Sequence, residues 1–264
     1  SIIDPIDLDS KGYYLLIGVG EFGRPYWLDY RGIPPGSTFP DLNSVAKDVN
    51  LMFNVFGADN DLNTGAIASL VNDKATRANI YNRLGRLIDE MESNDYLVIY
   101  FSGHGIGGSE YEFDALAIYD DFLGDLELRE YIESRFKARG TAINDVTLII
   151  DACHAGSFAD GNTRPVEPKA FQRAGYTVIA SSRPNQESYV STDLDLGLLT
   201  YHISEGLGAN KADLSGNSGN NDGVVTAREL YNYVKPLVYS DSGRAQDVYL
   251  HQGNGDPVIF KYAH

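Results

Sequence analysis

The chain has 264 residues, of which 43% are hydrophobic, and this is enough for one large globular domain or two small ones. A formal net charge of −16 repels phosphate backbones and attracts cations, so a nucleic-acid partner is not expected, whereas cationic substrates and metal ions are. The sequence has neither a basic leader followed by an apolar segment nor an apolar run of about 18 residues, so no membrane association is predicted.

The first residue and the cysteine content lead to expectations about flanking domains and cellular location. It begins at Ser1 rather than at a methionine, so flanking domains are expected, and the chain is expected to act as a monomer or together with those domains. Its single cysteine cannot form an internal disulfide, and a free thiol suits a reducing compartment, so a cytoplasmic location is expected.

Apolar periodicity predicts strands and helices that alternate along the chain. The predicted strands cover 13–19, a short segment ending at 73, 96–101, 146–150, 176–181 and 258–262. The predicted helices cover 41–56, 76–91, 126–136, 198–207 and 226–239. Residues 110–121 are expected to form an acidic loop or hairpin, and residues 157–174 a mobile surface loop. This order is typical of an α/β fold in which a mostly parallel sheet carries helices on both faces.

The only cysteine and one of the five histidines each follow a predicted core strand. Cys153 comes after the apolar run 146–150, and His104, between two glycines, comes after 96–101. Ligands bind at the C-terminal edge of such sheets, and a thiol becomes a nucleophile when an imidazole can take its proton. We therefore predict a catalytic pair of Cys153 and His104, with the amide groups of Gly105 and Cys153 facing the oxyanion. The alternative is a structural cysteine and a core histidine.

The segments Ser102-Gly103-His104-Gly105 and Asp151-Ala152-Cys153-His154-Ala155-Gly156 resemble the histidine and cysteine motifs of caspase-like cysteine peptidases, most closely the metacaspases and orthocaspases. Further segments that share the resemblance are Ala180-Ser181-Ser182, Gly197-Leu198-Leu199-Thr200, Asp222-Gly223-Val224-Val225-Thr226 and Gly255-Asp256-Pro257. The resemblance covers nearly the whole chain. It implies a three-layer caspase–hemoglobinase sandwich, with Cys153 as nucleophile, His104 as general base and no third catalytic acid.

The same resemblance implies one peptidase domain over 1–264, made of three parts. Residues 1–156 correspond to the large-subunit-like part, 157–174 to a loop that many relatives cleave, and 175–264 to the small-subunit-like part. Lys169 and Arg173 are the predicted self-processing positions.

The substrate pocket is implied by the resemblance to consist of Asp48, Ser102 and Asp151. Two carboxylates and a hydroxyl favour a guanidinium or ammonium group, so cleavage after Arg or Lys is predicted. Val190 stands where caspases that cleave after Asp carry an arginine, whereas the nearby Arg183 leaves an anion site open.

Calcium is a further implication of the resemblance, with Asp120, Asp121 and Asp160 as ligands and Glu112 as an additional one. Clustered carboxylates suit this cation, but solvated acids in an acidic protein are the alternative. Residues 218–229 also have the length of an EF-hand loop, although the first ligand position is a serine.

Three classes of function stay open on the sequence alone. The first is an active endopeptidase that cleaves proteins or peptides after basic residues, with Asp specificity as a variant. The second is a non-catalytic caspase-like binding module, and the third is another acyl-transfer thiol enzyme such as a peptide ligase.

Overall fold

The computed structural model describes residues 9–22, 39–57, 63–106, 114–143, 145–153, 170–173, 175–183, 186–191, 193–253 and 255–262. The strands are β1 (Gly12–Val19), β2 (Thr64–Val71), β3 (Tyr96–Gly103), β4 (Gly105–Ile106), β5 (Ala115–Ala117), β6 (Phe122–Gly124), β7 (Val146–Ala152), β8 (Tyr176–Ala180), β9 (Val190–Ser191), β10 (Leu196–Gly197), β11 (Val224–Thr226), β12 (Tyr249–Gln252) and β13 (Val258–Lys261). The helices are α1 (Val45–Gly57), α2 (Arg77–Glu90), α3 (Asp125–Ala138), α4 (Leu198–Gly208) and α5 (Ala227–Asp241), with a 3-10 turn at Asn72–Lys74.

A six-stranded sheet forms the centre of the fold, in the order β12-β8-β7-β3-β1-β2. Every neighbouring pair is parallel except β12 and β8. Strands β1, β3, β7 and β8 are buried at every position, which explains why their sequences are continuous apolar runs rather than alternating ones.

Helices cover both faces of this sheet and create two hydrophobic cores. On one face the apolar sides of α2 and α3 pack on residues such as Leu15 and Ile99. On the other face α1, α4 and α5 pack on residues such as Leu16 and Val98. The alternation of neighbouring strand residues between the two cores confirms the predicted α/β sandwich with three layers.

The strand register places the two predicted catalytic segments side by side. Ser102 is the register partner of Asp151, and Gly103 is the partner of Ala152, so β3 and β7 end at the same edge. Beyond this edge β3 continues into β4, which joins β5 and β6 in a small antiparallel sheet. The predicted hairpin in the 110–121 region is therefore present as part of this small sheet.

Three details differ from the sequence expectations. The helix expected from residue 41 begins at Val45, and the residues just before it, 43–44, form a turn. Strand β12, at the sheet edge, was not expected, since its residues are only half-buried and lack an apolar run. Strand β13 pairs with β11 outside the main sheet.

The 218–229 segment leads into α5 through a helix cap. Thr226 and Glu229 form a reciprocal capping box at the start of this helix. The Asp222 carboxylate accepts a bond from the Val224 amide, and the turn is organised by Asp213, whose carboxylate accepts bonds from the Asp222 and Gly223 amides. These local bonds order the turn that precedes α5, and the EF-hand interpretation of the segment stays a prediction.

Among the described helices, none combines the length and the apolar character that crossing a bilayer requires.

Candidate active site

His104 is held from the side opposite the sheet by the segment Phe39–Pro40. Its Nε2 lies 2.8 Å from the carbonyl oxygen of Pro40. A carbonyl can only accept, so Nε2 carries the hydrogen and Nδ1 is left as the basic nitrogen. The ring of Phe39 stacks on the imidazole at 4.8 Å between centroids, and Phe22 lies 5.9 Å away. The tautomer and the plane of the imidazole are thus both fixed.

Cys153 follows the last residue of β7 and lines the same pocket as His104. A Cβ atom at Gly105 would lie 2.3 Å from the carbonyl oxygen of Cys153, so only glycine allows this close approach. The strand end is further fixed by Ser181, whose hydroxyl bonds to both the amide and the carbonyl of Ala152. The structure therefore brings the predicted nucleophile, base and Gly105 together.

The two reacting groups are both neutral at rest. Burial, together with the nearby Glu187 and Asp151 carboxylates, raises the pKa of the Cys153 thiol. Burial lowers the pKa of the His104 imidazole, and the bond to Pro40 offsets this only in part. A neutral thiol and a neutral imidazole that line one pocket would suit general-base deprotonation better than a preformed ion pair.

Asp48 projects from α1 toward the end of β3. Its carboxylate accepts a hydrogen bond from the Ser102 hydroxyl at 2.7 Å and one from the Gly197 amide at 3.0 Å. The side chain is buried, which excludes the reading of Asp48 as a charge on the helix surface.

Asp151, the last but one residue of β7, faces the start of α4. Its carboxylate accepts bonds from the Ser188 hydroxyl at 2.7 Å, the Thr200 amide at 3.1 Å and the Thr200 hydroxyl at 2.8 Å. Thr200 in turn is within 2.6 Å of the Tyr100 hydroxyl. Asp151 thus acts as a helix cap supplied by another element, in the position where the positive end of the helix dipole favours a carboxylate.

Gly197 brings the two carboxylates to one place. A Cβ atom on this residue would lie 2.3 Å from Oδ2 of Asp151 and 3.4 Å from Oδ2 of Asp48. Burial and the neighbouring Asp151 charge raise the pKa of Asp48 to about 7. Burial raises the pKa of Asp151 as well. Two buried carboxylates this close favour a shared proton or a cation between them.

None of the described residues that line the pocket is a lysine or an arginine. Val190, which the resemblance places where an arginine would select Asp, is exposed and borders the pocket. Arg183 instead donates from Nε to Asp247 at 2.6 Å, so its guanidinium is engaged away from the pocket.

The acids assigned to calcium by resemblance are only partly described. Asp160 and Glu112 lie outside the described residues. Asp120 accepts a bond from the backbone amide of Arg77 at 2.9 Å, and Asp121 accepts one from the Nε of Arg77, also at 2.9 Å. Within the described part of the chain no group of three or more His, Cys, Asp or Glu side chains is arranged to hold a metal ion. Asp121 is thus paired with the Arg77 guanidinium and Asp120 with the Arg77 backbone amide, and the calcium site stays a prediction.

Four further contributors to the site were missed from the sequence: Pro40, Ser188, Gly197 and Thr200. Pro40 acts through its carbonyl, a group that every residue carries, so no sequence signal marks it. Gly197 and Thr200 stand in a segment that shares the family resemblance, but the segment did not indicate their bonds to Asp48 and Asp151. Ser188 is an ordinary polar residue until the fold places it at Asp151. The processing position Lys169 lies outside the described residues, and Arg173 is described.

Comparisons with known proteins identify the family of the chain. The caspase domain family matches residues 11–252 of the chain. Metacaspase-1B of Aspergillus clavatus is 24% identical over 267 residues, covering 93% of this chain and 53% of that protein. Metacaspase-1 of Coccidioides immitis is 26% identical over 254 residues, covering 84% of this chain and 52% of that protein. The chain thus spans about half the length of the curated relatives it matches.

Solved structures agree on the fold. Protein GSU0716 from Geobacter sulfurreducens superposes with a TM-score of 0.63 at 17% identity, covering 95% of this chain and 97% of that one. Caspase-1 from Spodoptera frugiperda gives a TM-score of 0.61 at 14% identity, covering 98% and 93%. With the family match over most of its length and a cysteine and a histidine at the expected strand ends, this chain belongs to the caspase domain family of cysteine-type peptidases.

Proposed function

We propose that this chain is an endopeptidase that hydrolyses peptide bonds after Arg or Lys, with Cys153 as nucleophile and His104 as general base. One observation carries the proposal. The thiol, the imidazole and the carboxylates of Asp48 and Asp151 border a single pocket. Such a pocket complements a guanidinium or ammonium group and repels a carboxylate.

The proposed reaction uses only groups of this chain and water. As the sulfur of Cys153 attacks the carbonyl carbon, its proton moves to Nδ1 of His104, while Nε2 keeps its bond to Pro40. The amides of Gly105 and Cys153 are the proposed donors to the oxyanion. The imidazolium then gives the proton to the leaving amine. A water molecule that His104 deprotonates hydrolyses the thioester and restores the thiol.

A panel of four fluorogenic peptides that differ only in the residue before the reporter tests the specificity. The residues are Arg, Lys, citrulline and Asp, and citrulline is the uncharged counterpart of arginine with nearly the same shape. We expect Arg to give the highest kcat/KM, citrulline to lose at least about 30-fold because the buried charge pair is missing, and Asp to be no better than citrulline. Faster cleavage after Asp than after Arg would exclude the proposed pocket.

The pH dependence of binding provides an independent prediction. Because the pKa of Asp48 in the free enzyme is raised to about 7, this carboxyl gains a proton as the pH falls through 7 and loses its attraction for arginine. We expect kcat/KM for the Arg peptide to decline below about pH 7. By contrast, kcat should stay level to lower pH, because a bound guanidinium holds the carboxylate ionised and the pKa of His104 is lowered. An acid limb near 7 that persists in Asp48→Asn would exclude this assignment.

Self-processing at the predicted positions is tested by intact-protein mass spectrometry. Arg173 is half-exposed and its guanidinium lies 3.7 Å from Glu133, a weak contact that leaves the side chain available to a substrate pocket. We expect incubated protein to yield two fragments cut after Lys169 or Arg173. Cys153→Ala should stay intact, as should the double variant Lys169→Gln/Arg173→Gln. An active enzyme that remains a single chain would show that no processing occurs there.

Ligation is the competing acyl-transfer reaction, and an added amine distinguishes it. If the thioester is captured by water, the product of the Arg peptide is the free acid even with a peptide amine present at millimolar concentration. A predominant new peptide bond would make the chain a ligase with the same catalytic pair.

A further inference from the structure

Arg77, the first residue of α2, joins that helix to the segment that follows β5. Its Nε donates to the Asp121 carboxylate at 2.9 Å, and its two other nitrogens donate to the carbonyl of Phe122 and the carboxylate of Glu127. Its backbone amide donates to Asp120 at 2.9 Å. A single residue thus binds one short segment at four points.

Limited solvent exposure and good donor geometry stabilise the contact between Arg77 and this segment. The Arg77 side chain is only 24% exposed, so its ion pairs are less screened than those on an open surface. The planar guanidinium directs its donors at fixed angles, and a carboxylate, a second carboxylate and a carbonyl satisfy them. Asp120 adds a favourable charge at the N-terminus of α2. Removing the guanidinium would leave like charges facing each other.

The bound segment leads directly to the catalytic histidine. Phe122 pairs with Ala117 across β6 and β5, and the amide of Ala117 donates to the carbonyl of His104 at 2.9 Å. The ring of Phe122 meets that of Phe39 edge-on at 6.2 Å, and Phe39 is the ring that stacks on the imidazole at 4.8 Å. Both the main chain and the ring of His104 are therefore positioned by the residue whose carbonyl Arg77 holds.

We propose that Arg77 is a positioning residue for His104, and that its guanidinium is the resident cation of the Asp121 and Glu127 carboxylates, while its backbone amide holds Asp120. The positioning role of Arg77 rests on the proposed peptidase function. Its role as the resident cation of the acids does not depend on any enzymatic activity. The segment then holds the histidine in place through a charge built into the chain, without a divalent cation.

Arg135 offers a matched control for the kinetic test. It joins helices α2 and α3 by an ion pair with Asp89 and is 35% exposed.

We expect Arg77→Ala to lower kcat for the Arg peptide by about 10–100-fold, because small displacements of a reacting group have effects of this size. KM should change less than about twofold. Arg135→Ala should keep kcat within about twofold. Guanidinium chloride at tens of millimolar should restore part of the activity of Arg77→Ala alone. Equal losses in the two variants, or a change confined to KM, would overturn the positioning role.

Alkylation of Cys153 by iodoacetamide provides a readout that does not require peptide cleavage. Since Cys153 is the only cysteine, its rate is measured on the whole folded protein. We expect Arg77→Ala to react more slowly than the wild type and His104→Ala to react slowest, while Arg135→Ala reacts like the wild type. If the wild type alkylates with this pattern but cleaves no peptide, the proposed function fails and the positioning role holds. If Arg77→Ala alkylates at the wild-type rate while folded, the positioning role fails.

Thermal unfolding with calcium tests the second half of the proposal. Because the guanidinium already occupies the Asp121 and Glu127 carboxylates, we expect the melting temperature of the wild type to be the same in 5 mM calcium chloride and in excess chelator, within about 0.5 °C. A rise of several degrees in calcium would show that the acids are a calcium site and that Arg77 is not their resident cation.

Discussion

Asp48→Asn is expected to lower kcat/KM for the Arg peptide by about 30-fold or more, while cleavage of the citrulline peptide changes far less. The reason is that an amide keeps the volume of the side chain but removes one of the two charges that face the substrate cation. Losing one partner of a buried, hydrogen-bonded charge pair costs about 2–5 kcal/mol. The same substitution in a merely structural acid would lower both rates together.

Stability provides the control for this variant. Since the pKa of Asp48 is raised to about 7 from an ordinary value of 3.8, its ionisation opposes folding as the pH rises through 7. Asp48→Asn removes that penalty. We therefore expect the variant to melt higher than the wild type at pH 8.5, and the difference to vanish below about pH 4, where both states of the wild type are protonated. A variant that is less stable at pH 8.5 would indicate that the carboxylate is favourable to the fold.

Replacement of either member of the catalytic pair is expected to have the largest effect of all. Cys153→Ala should show no cleavage above background, because no other described side chain in the pocket can form the thioester. His104→Ala should lose about 100- to 10,000-fold in kcat, the range for a general acid–base group, with KM nearly unchanged.

The pH dependence of the residual activity of His104→Ala shows whether His104 acts as a base or only packs in the site. Because the resting thiol is neutral, hydroxide must take its proton when the imidazole is absent. We expect the activity of His104→Ala to rise steeply with pH toward the raised pKa of Cys153, whereas the wild type levels off near neutrality. A flat profile in the variant would mean that His104 is not the base.

Much of this site could be predicted because its reactive residues follow apolar strands. Parallel strands end at one edge, so the runs before His104 and Cys153 are sufficient to place both side chains there. The resemblance of the motifs added Asp48, which periodicity alone would leave on the helix surface. Burial of Asp48 and its bond to Ser102 agree with the resemblance.

The remaining parts of the site depend on contacts that no local pattern encodes. The amide of Gly197 reaches Asp48 across 149 positions of the chain. The carbonyl of Pro40 reaches His104 across 64, and a carbonyl has no residue-specific signal. Arg77 and Asp121 are ordinary charged residues in the sequence, and only the packing of α2 against the small sheet brings them together.

A labelling experiment on Cys153 tests most directly whether the thiol, the imidazole and the acids act as one site. The protein is treated with peptidyl chloromethyl ketones that end in Arg or Asp, and the alkylated residue and its rate are read by mass spectrometry. We predict rapid, stoichiometric modification of Cys153 by the Arg reagent and slow modification by the Asp reagent. We also predict that His104→Ala slows the first reaction to the rate of the second. Faster labelling by the Asp reagent, or equal labelling by both, would contradict the proposed pocket.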